Sequence, residues 1–454
     1  MDPYDSINPL DFRYYGTNAR MKKLWKLSES AFVKHLAEVE AALVETLADR
    51  KVCSRKVADE VRKAASKVTA KQVYDEESRI KHNIRALANI IRKNVSDEAK
   101  PFVHLAATSH DIICTAEALR YKEAAKDIIL PSLMELEKLL MKIALREKKT
   151  LQVGRTHGQH AEPITFGFAM AEYVSRLGTR IIKIKETAED LRGKMSGAVG
   201  AYNASSLFFD DPERFEKDML KKLGLEPATH STQIVEPEYM ADFVHAIVSA
   251  FGVIANLADD MRHLQRSEIA EVAEGFGSKQ VGSSTMPHKR NPISFENVKS
   301  LWKAYMPRMI TVYMDQLSEH QRDLTNSASS RFTPETVAAL VIAADRMTNT
   351  LKKLVVDKDS LKRNLSIGMI AAEPLYILLA AHDHPDAHEK VRQLTLMKGS
   401  LLENAKKDKS LKPYLSKFTK KQLDVLRNPS LYVGRAVKKT EEVVSHWGGL
   451  LHGV

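Results

Sequence analysis

Four segments concentrate side chains that could do chemistry: VHLAATSHD (103–111), GRTHGQHAEPITFG (154–167), GKMSGAVGAYNASS (193–206) and GSSTMPHKRNP (282–292). The last opens with Gly282 and the hydroxyls of Ser283 and Ser284. Pro287 and Pro292 restrain it, and Lys289, Arg290 and Asn291 add cationic and amide donors. That mixture suits recognition of a carboxylate or phosphate better than it suits a linker. In the second segment, His157 and His160 sit in a polar stretch that Gly158 and Pro163 mark as a loop. Acid–base work competes there with ordinary hydrogen bonding, and no acidic third ligand at a usual spacing argues for a metal. The glycines of the third segment do not fit the phosphate loop G-x4-G-K-[ST], which leaves close helix packing or ligand contact through backbone N–H groups. HDHPDAH (382–388) also resembles a metal cluster, but reads as structural: one helix ends near His382 and Pro385-Asp386 open the next.

These segments interrupt helices. Tyr239, Phe243, Ile247, Ala250, Ile254, Leu257, Met261 and Leu264 recur at three- and four-residue spacing and mark one face of a long helix. Similar stripes run through Leu133, Leu136, Leu140 and Ile143, and through Val337, Leu340, Ala344, Met347 and Leu351. Strand-like alternation is scarce and no βαβ period appears, so an all-α fold is expected. Its expected parts are an N-terminal helical domain (1–109), a central long-helix bundle carrying the 282–292 segment (110–357) and a C-terminal helical domain (358–454).

Hydrophobic residues are 44% and charged residues 28% of the 454. No uninterrupted apolar run approaches the ~20 residues of a membrane span. The stretch MDPYDSINPLDFRYYG lacks the basic flank and apolar run of a secretory signal, and the cysteines are Cys53 and Cys114 alone. A soluble, cytoplasmic protein is expected, without disulfides and without membrane partners. The net charge of +11 favours anionic ligands. Lysines between Lys406 and Lys421 read as a solvated face, and without an aromatic-interleaved basic motif nucleic acid is not expected as a partner.

GSSTMPHKRNP resembles the signature of the fumarase/aspartase superfamily, GSSxMPxKxNP, and its form with His288 and Arg290 is similar to the adenylosuccinate lyase branch. FRYYG (12–16), VHLAATSHD, GRTHGQHAEPITFG, SGAVG, STQ (231–233) and QRDLTNSASSR (321–331) carry the resemblance in order along nearly the whole chain. It implies a homotetramer whose long central helices pool into one bundle, with active sites built by loops from three subunits. The implied reaction is β-elimination of fumarate from a succinyl-amine by general acid and base, without metal or organic cofactor. The implied substrates are small anionic nucleotides of purine synthesis: adenylosuccinate, giving AMP, and the succinyl-carboxamide ribotide, giving the aminoimidazole carboxamide ribotide. Argininosuccinate lyase, which usually has Gln at the 288 position, is the runner-up.

Residue by residue, the resemblance assigns the base to Ser283 and the acid to His157. Lys289 partners a substrate carboxylate and Asn291 adds a donor. A segment 282–292 that closes on substrate would expel water and favour a serine base. Arg13 and Tyr14 match an Arg-Tyr pair that holds the nucleotide phosphate, and His82 matches a histidine near the phosphate and leaving group. Thr108 and Ser109 match a carboxylate-binding pair, Thr156 sits beside the acid, Gln233 matches a substrate-binding glutamine, and Arg322, Ser327 and Arg331 match the basic and hydroxyl set after the signature. Two departures stand out. Lys81-His82-Asn83 replaces the common Arg-His-Asp, losing fork geometry, and Val235-Glu236-Pro237-Glu238-Tyr239 replaces an Arg-Asp-Arg stretch in the manner of another branch.

Overall fold

The computed structural model describes residue 8 and residues 10–16, 18–277, 285–286, 288–367 and 370–453. Apolar spacing and capping residues set its elements. Ser28, whose Oγ accepts the Ala31 N–H at 3.3 Å, starts α1 (Glu29–Asp49). Then come α2 (Ala70–Ile80), α3 (Asn83–Lys93), α4 (Ser109–Ala124) and α5 (Leu130–Arg146). A hairpin of β1 (Leu151–Thr156) and β2 (Gln159–Thr165) leads into α6 (Phe166–Glu189). The chain continues through α7 (Glu238–Leu264), α8 (Ile293–Tyr305), α9 (Thr333–Leu351), α10 (Lys358–Ile367), α11 (Ala372–Ala381), α12 (Ala387–Thr395) and α13 (Ala436–Leu450). Outside the hairpin, the paired strands among the described residues are two-residue contacts, Arg192–Gly193 with Glu226–Pro227 and Val272–Ala273 with Val355–Val356. The fold is all-α, as expected.

The stripes are the core. Phe243, Ile247, Ala250, Ile254, Leu257 and Met261 of α7 are buried, as are Leu133, Leu136, Leu140 and Ile143 of α5 and Val337, Leu340, Ala344, Met347 and Leu351 of α9. α7 is apolar on most of its circumference because α6, α8 and α9 all pack against it. By length and composition it is the one described helix apolar enough to cross a bilayer, yet 61% of its most apolar window is buried within this fold, as suits a central bundle helix.

α6 and α7 run antiparallel. Tyr173 donates its hydroxyl to Asp260, Arg176 Nη1 donates to Asn256 Oδ1 at 2.8 Å, and Arg180 Nη1 to Ser249 Oγ at 3.2 Å, so rising numbers on one helix meet falling numbers on the other. One continuous core reaches from Leu10 to Leu354 and takes in Val444 and Leu451. A second, smaller core spans Leu375 to Leu426. The exposed lysines between Lys406 and Lys421 lie on this second unit. There the rings of HDHPDAH pack on aromatics: His382 on Phe418, His384 on Tyr414 and His388 on Tyr376, with centroids 5.3, 4.7 and 5.5 Å apart. α11 ends at Ala381 and Asp386 precedes α12, in line with the sequence reading. α13 then returns to the first core, where Trp447 lies so close over Gly178 of α6 that a Cβ there would sit 2.5 Å from the ring.

Glu137 of α5 is completely buried, and neither carboxylate oxygen has a hydrogen-bond partner among the described residues. Burial alone pushes its pKa up to about 9. A folded-state pKa above the unfolded one stabilises fully at low pH, and that stability is lost as pH rises from about 4.5 towards 9. Glu137→Met should therefore raise the thermal midpoint at pH 7 to 8 and flatten its decline with pH. The linked effect is about 3 kcal/mol at pH 7, and unfolding scans across pH 5 to 9 check it.

Candidate active site

At one end of the α6/α7 pair the α4 N-terminus is held by a buried ion pair. Asp111 and Lys194 are both completely buried and joined through Oδ1 and Nζ. Asp111 also accepts the Thr108 N–H at 2.8 Å and the Gly197 N–H at 3.2 Å, and Lys194 Nζ donates to the Gly197 carbonyl at 3.1 Å. Thr115 Oγ1 donates to the Lys194 carbonyl and accepts its N–H, each at 3.0 Å. The pair thus locks the Thr108–Ser109 turn against the segment after α6. That segment turns at Gly200, whose φ of +82° and 1.9 Å approach of a would-be Cβ to the Ser231 carbonyl allow no side chain. Ser196 Oγ meets Ser231 Oγ at 2.6 Å, bringing in the 231–235 strand-like turn.

Ser109 Oγ lies 3.5 Å from His82 Nε2. His82 is the N-cap of α3 and its Nδ1 accepts the Arg85 N–H at 3.2 Å, so a neutral ring carries its proton on Nε2, facing Ser109. Lys81 before it is exposed with φ 59°, and the Asn83 Oδ1 accepts the Ile84 N–H at 2.8 Å. The Gln233 N–H donates to the Gln321 carbonyl at 3.2 Å, which brings Arg322 beside the same end. Arg322 Nη2 donates to Asn326 Oδ1 at 2.6 Å, its buried Nε has no partner among the described residues, and Arg331 Nε donates to the Ser327 carbonyl at 3.2 Å. His110 was passed over in the sequence. Burial, helped by the Arg322 and Lys194 charges, holds its imidazole near pKa 4, neutral at physiological pH.

At the other end stands the hairpin. GRTHGQHAEP is not the loop expected: Thr156 pairs with Gln159 around a two-residue turn in which His157 and Gly158 have φ of 54° and 75°. Such a turn needs positive φ at both central positions, which Gly158 adopts freely and His157 only under constraint. The register shift between Val153 and Arg155 hides the alternation, and Pro163 is accommodated opposite Val153. Residues 156 to 160, with His157 at the tip, are exposed.

The base of the signature segment lies at this end too. Glu274 Oε1 accepts the Ser294 and Phe295 N–H groups at 2.9 Å each and so caps α8 from upstream, while Gln265 accepts the Glu274 N–H at 2.9 Å and donates to the Arg290 carbonyl at 3.3 Å. Lys289 is exposed, Asn291 half-buried, and Gly282, Ser283 and Ser284 lie outside the described residues. Tyr14 joins here: Asn297 Nδ2 donates to its hydroxyl at 3.0 Å and Arg346 lies 5.8 Å over its ring, with Arg13 exposed beside it.

The chain therefore collects His82, Thr108, Ser109, Gln233, Arg322 and Ser327 at one end, and Tyr14, Thr156, His157 and Lys289 at the other. α6 has 24 residues and α7 has 27, so at 1.5 Å per residue about 36 to 40 Å of helix separates the two groups.

Residues 8–304 match the family model described as lyase, and residues 318–433 match that described as adenylosuccinate lyase C-terminal. The adenylosuccinate lyase of Pyrococcus abyssi is 35% identical to this chain, over 97% of it and 98% of that protein. That of Archaeoglobus fulgidus is 34% identical, over 96% and 98%. Among solved structures, 3-carboxy-cis,cis-muconate lactonizing enzyme from Pseudomonas putida superposes with a TM-score of 0.84 at 23% identity, covering 97% of this chain and 99% of that one. Fumarate lyase from Mesorhizobium sp. BNC1 superposes with a TM-score of 0.81 at 22% identity, covering 94% and 98%. At those identities the two structures establish the helical fold.

Lys194→Met would leave Asp111 buried without its cation. Breaking a buried pair from one side costs about 3–5 kcal/mol, so denaturant unfolding should show a loss of that size. Lys194→Met combined with Asp111→Leu should recover much of it while leaving the Thr108 N–H without its acceptor.

Proposed function

The chain belongs to the lyase family, in its adenylosuccinate lyase branch, and from that premise we propose that it eliminates fumarate from adenylosuccinate to leave AMP. The observation that carries the reading is a likeness running through both the bundle and the C-terminal unit, the latter matching the model described as adenylosuccinate lyase C-terminal. The same chemistry would act on the succinyl-carboxamide ribotide, which shares the succinyl-amine and the phosphate.

The elimination removes a proton from the succinyl carbon beside a carboxylate, gathers charge on that carboxylate as an aci-form, and breaks the C–N bond as the nitrogen is protonated. We assign proton removal to Ser283 and nitrogen protonation to His157. Lys289 and Asn291 face the developing carboxylate charge. Thr108, Ser109 and Gln233 hold the other succinyl contacts, and Arg13 with Tyr14 takes the phosphate. Arg322, Ser327 and Arg331 supply further donors, and Thr156 sets the tip beside the acid. His82, with its Nε2 proton towards Ser109, serves the phosphate and leaving-group side, flanked by Lys81 and Asn83. A substrate with a phosphate and two carboxylates suits this cation-rich set.

With His157 and the Ser109–Arg322 group at opposite ends of helices about 36 to 40 Å long, one chain cannot bring both to one substrate. The proposed site is therefore completed by neighbouring copies in a homotetramer. The exposed apolar side chains of Met306, Ile310, Tyr313, Met314 and Leu317, gathered on one stretch after α8, suit burial in such an assembly. The proposed setting is the cytoplasm.

Purified protein should convert adenylosuccinate to AMP and fumarate, followed by ultraviolet absorbance. Turnover of argininosuccinate with none of adenylosuccinate would reassign the substrate. Ser283→Ala and His157→Ala should each remove most of the activity while leaving the oligomer intact by sedimentation. His157→Ala chains dissociated and reassembled with Arg322→Ala chains should regain activity that neither has alone, because some sites then draw a sound hairpin and a sound arginine from different chains.

A further inference from the structure

Glu271 belongs to none of the polar segments that stand out in the sequence, yet it is completely buried and saturated with donors. Its Oε1 accepts from Arg155 Nη2 at 2.5 Å and from Asn364 Nδ2 at 2.9 Å. Its Oε2 accepts from Arg155 Nη1 at 3.1 Å and from Gln152 Nε2 at 2.9 Å. Four donors fill the four lone-pair sites of an ionised carboxylate. The Glu271 backbone is fixed as well, donating its N–H to the Leu264 carbonyl and accepting the Asp357 N–H, each at 2.9 Å. The carboxylate thus ties β1 to α10, and the backbone of the same residue ties both to the end of α7.

Arg155 stands two residues before His157 and is largely buried, whereas Thr156 to His160 are exposed. The forked Arg155–Glu271 contact is therefore the last anchored point before the tip. Beyond it the backbone must hold His157 at φ 54°, a conformation that persists only where its surroundings impose it. A bidentate arginine–carboxylate pair fixes direction as well as distance.

We propose that Glu271 is a positioning residue for the reaction: through Arg155 it sets the height and direction of the hairpin tip that delivers His157 to a substrate held by another copy of the chain. This rests on the reading of His157 as the acid. The proton given to the leaving nitrogen matters in the transition state, not in the bound ground state, so a misplaced tip costs turnover more than binding.

Glu271→Gln keeps the size and loses the charge and the fork. Its kcat should fall about 10- to 100-fold, with KM little changed. Because that variant leaves Arg155 buried without a counter-charge, the neutral pair Arg155→Gln/Glu271→Gln is made alongside it. It should melt near wild type and show the same loss in kcat. Chain mixing separates positioning from general support of the fold. Added to Arg322→Ala chains, which supply the working hairpin, Glu271→Gln should cut the regained activity about 10- to 100-fold. Added to His157→Ala chains, whose hairpin is already inert, it should cost far less. Wild-type kcat in the folded single or double variant would overturn the proposal, as would equal losses in the two mixing arrangements. If the parent mixture regains nothing, the shared-site reading fails, and kcat of the folded variants still decides the role of Glu271.

Discussion

Two antiparallel helices too long to bend back on themselves set the terms for everything else in this molecule. α6 and α7 are locked in register by Tyr173–Asp260, Arg176–Asn256 and Arg180–Ser249, and packed along their length by α5, α8 and α9. A rod of this kind has no adjustable middle, so polar segments can gather only where helices end. Chemistry is therefore pushed to two poles, and a site that needs groups from both must be assembled between molecules. The apolar burial that makes the rods stiff and the proposed sharing of the site are two results of one constraint.

Each pole is organised around a buried carboxylate. Asp111 gathers the Thr108 turn and the loop after α6 around Lys194, and Glu271 gathers the hairpin and α10 around Arg155. Apolar residues of similar volume often stabilise a fold at least as well as a buried ion pair does. What they do not provide is angular definition. An oxygen with named donors accepts one arrangement of the surrounding backbone, and both pairs sit where a loop must be held in one conformation rather than merely covered. Glu137 is the counter-example within the same fold, a completely buried carboxyl with no hydrogen-bond donor among the described residues.

The stripes from Tyr239 to Leu264 and from Val337 to Leu351 were legible because helix burial writes itself into local spacing, and the HDHPDAH reading succeeded because caps are local too. The hairpin was hidden by its own construction: the Gly154 bulge breaks the alternation, and the turn uses His-Gly where Asn-Gly is the familiar signal. Lys194 stands among glycines in the sequence, although its partner lies 83 residues away, and Glu271 meets Gln152 across 119 residues. No spacing rule reaches that far. The proposed catalytic residues came from resemblance, since the chemistry of one serine or one histidine has no periodicity. The elements that hold them became visible only with the fold.

The last helix has a meaning for how the chain is made. α6 keeps Gly178 bare so that Trp447 can lie across it, and those two residues are 269 positions apart. At a synthesis rate of about 5–20 residues per second, the groove over Gly178 stays open for roughly 13 to 54 s after it emerges. Through that interval the parts of α5 and α6 that α13 covers stay exposed, so the bundle is open on that side until α13 has been made.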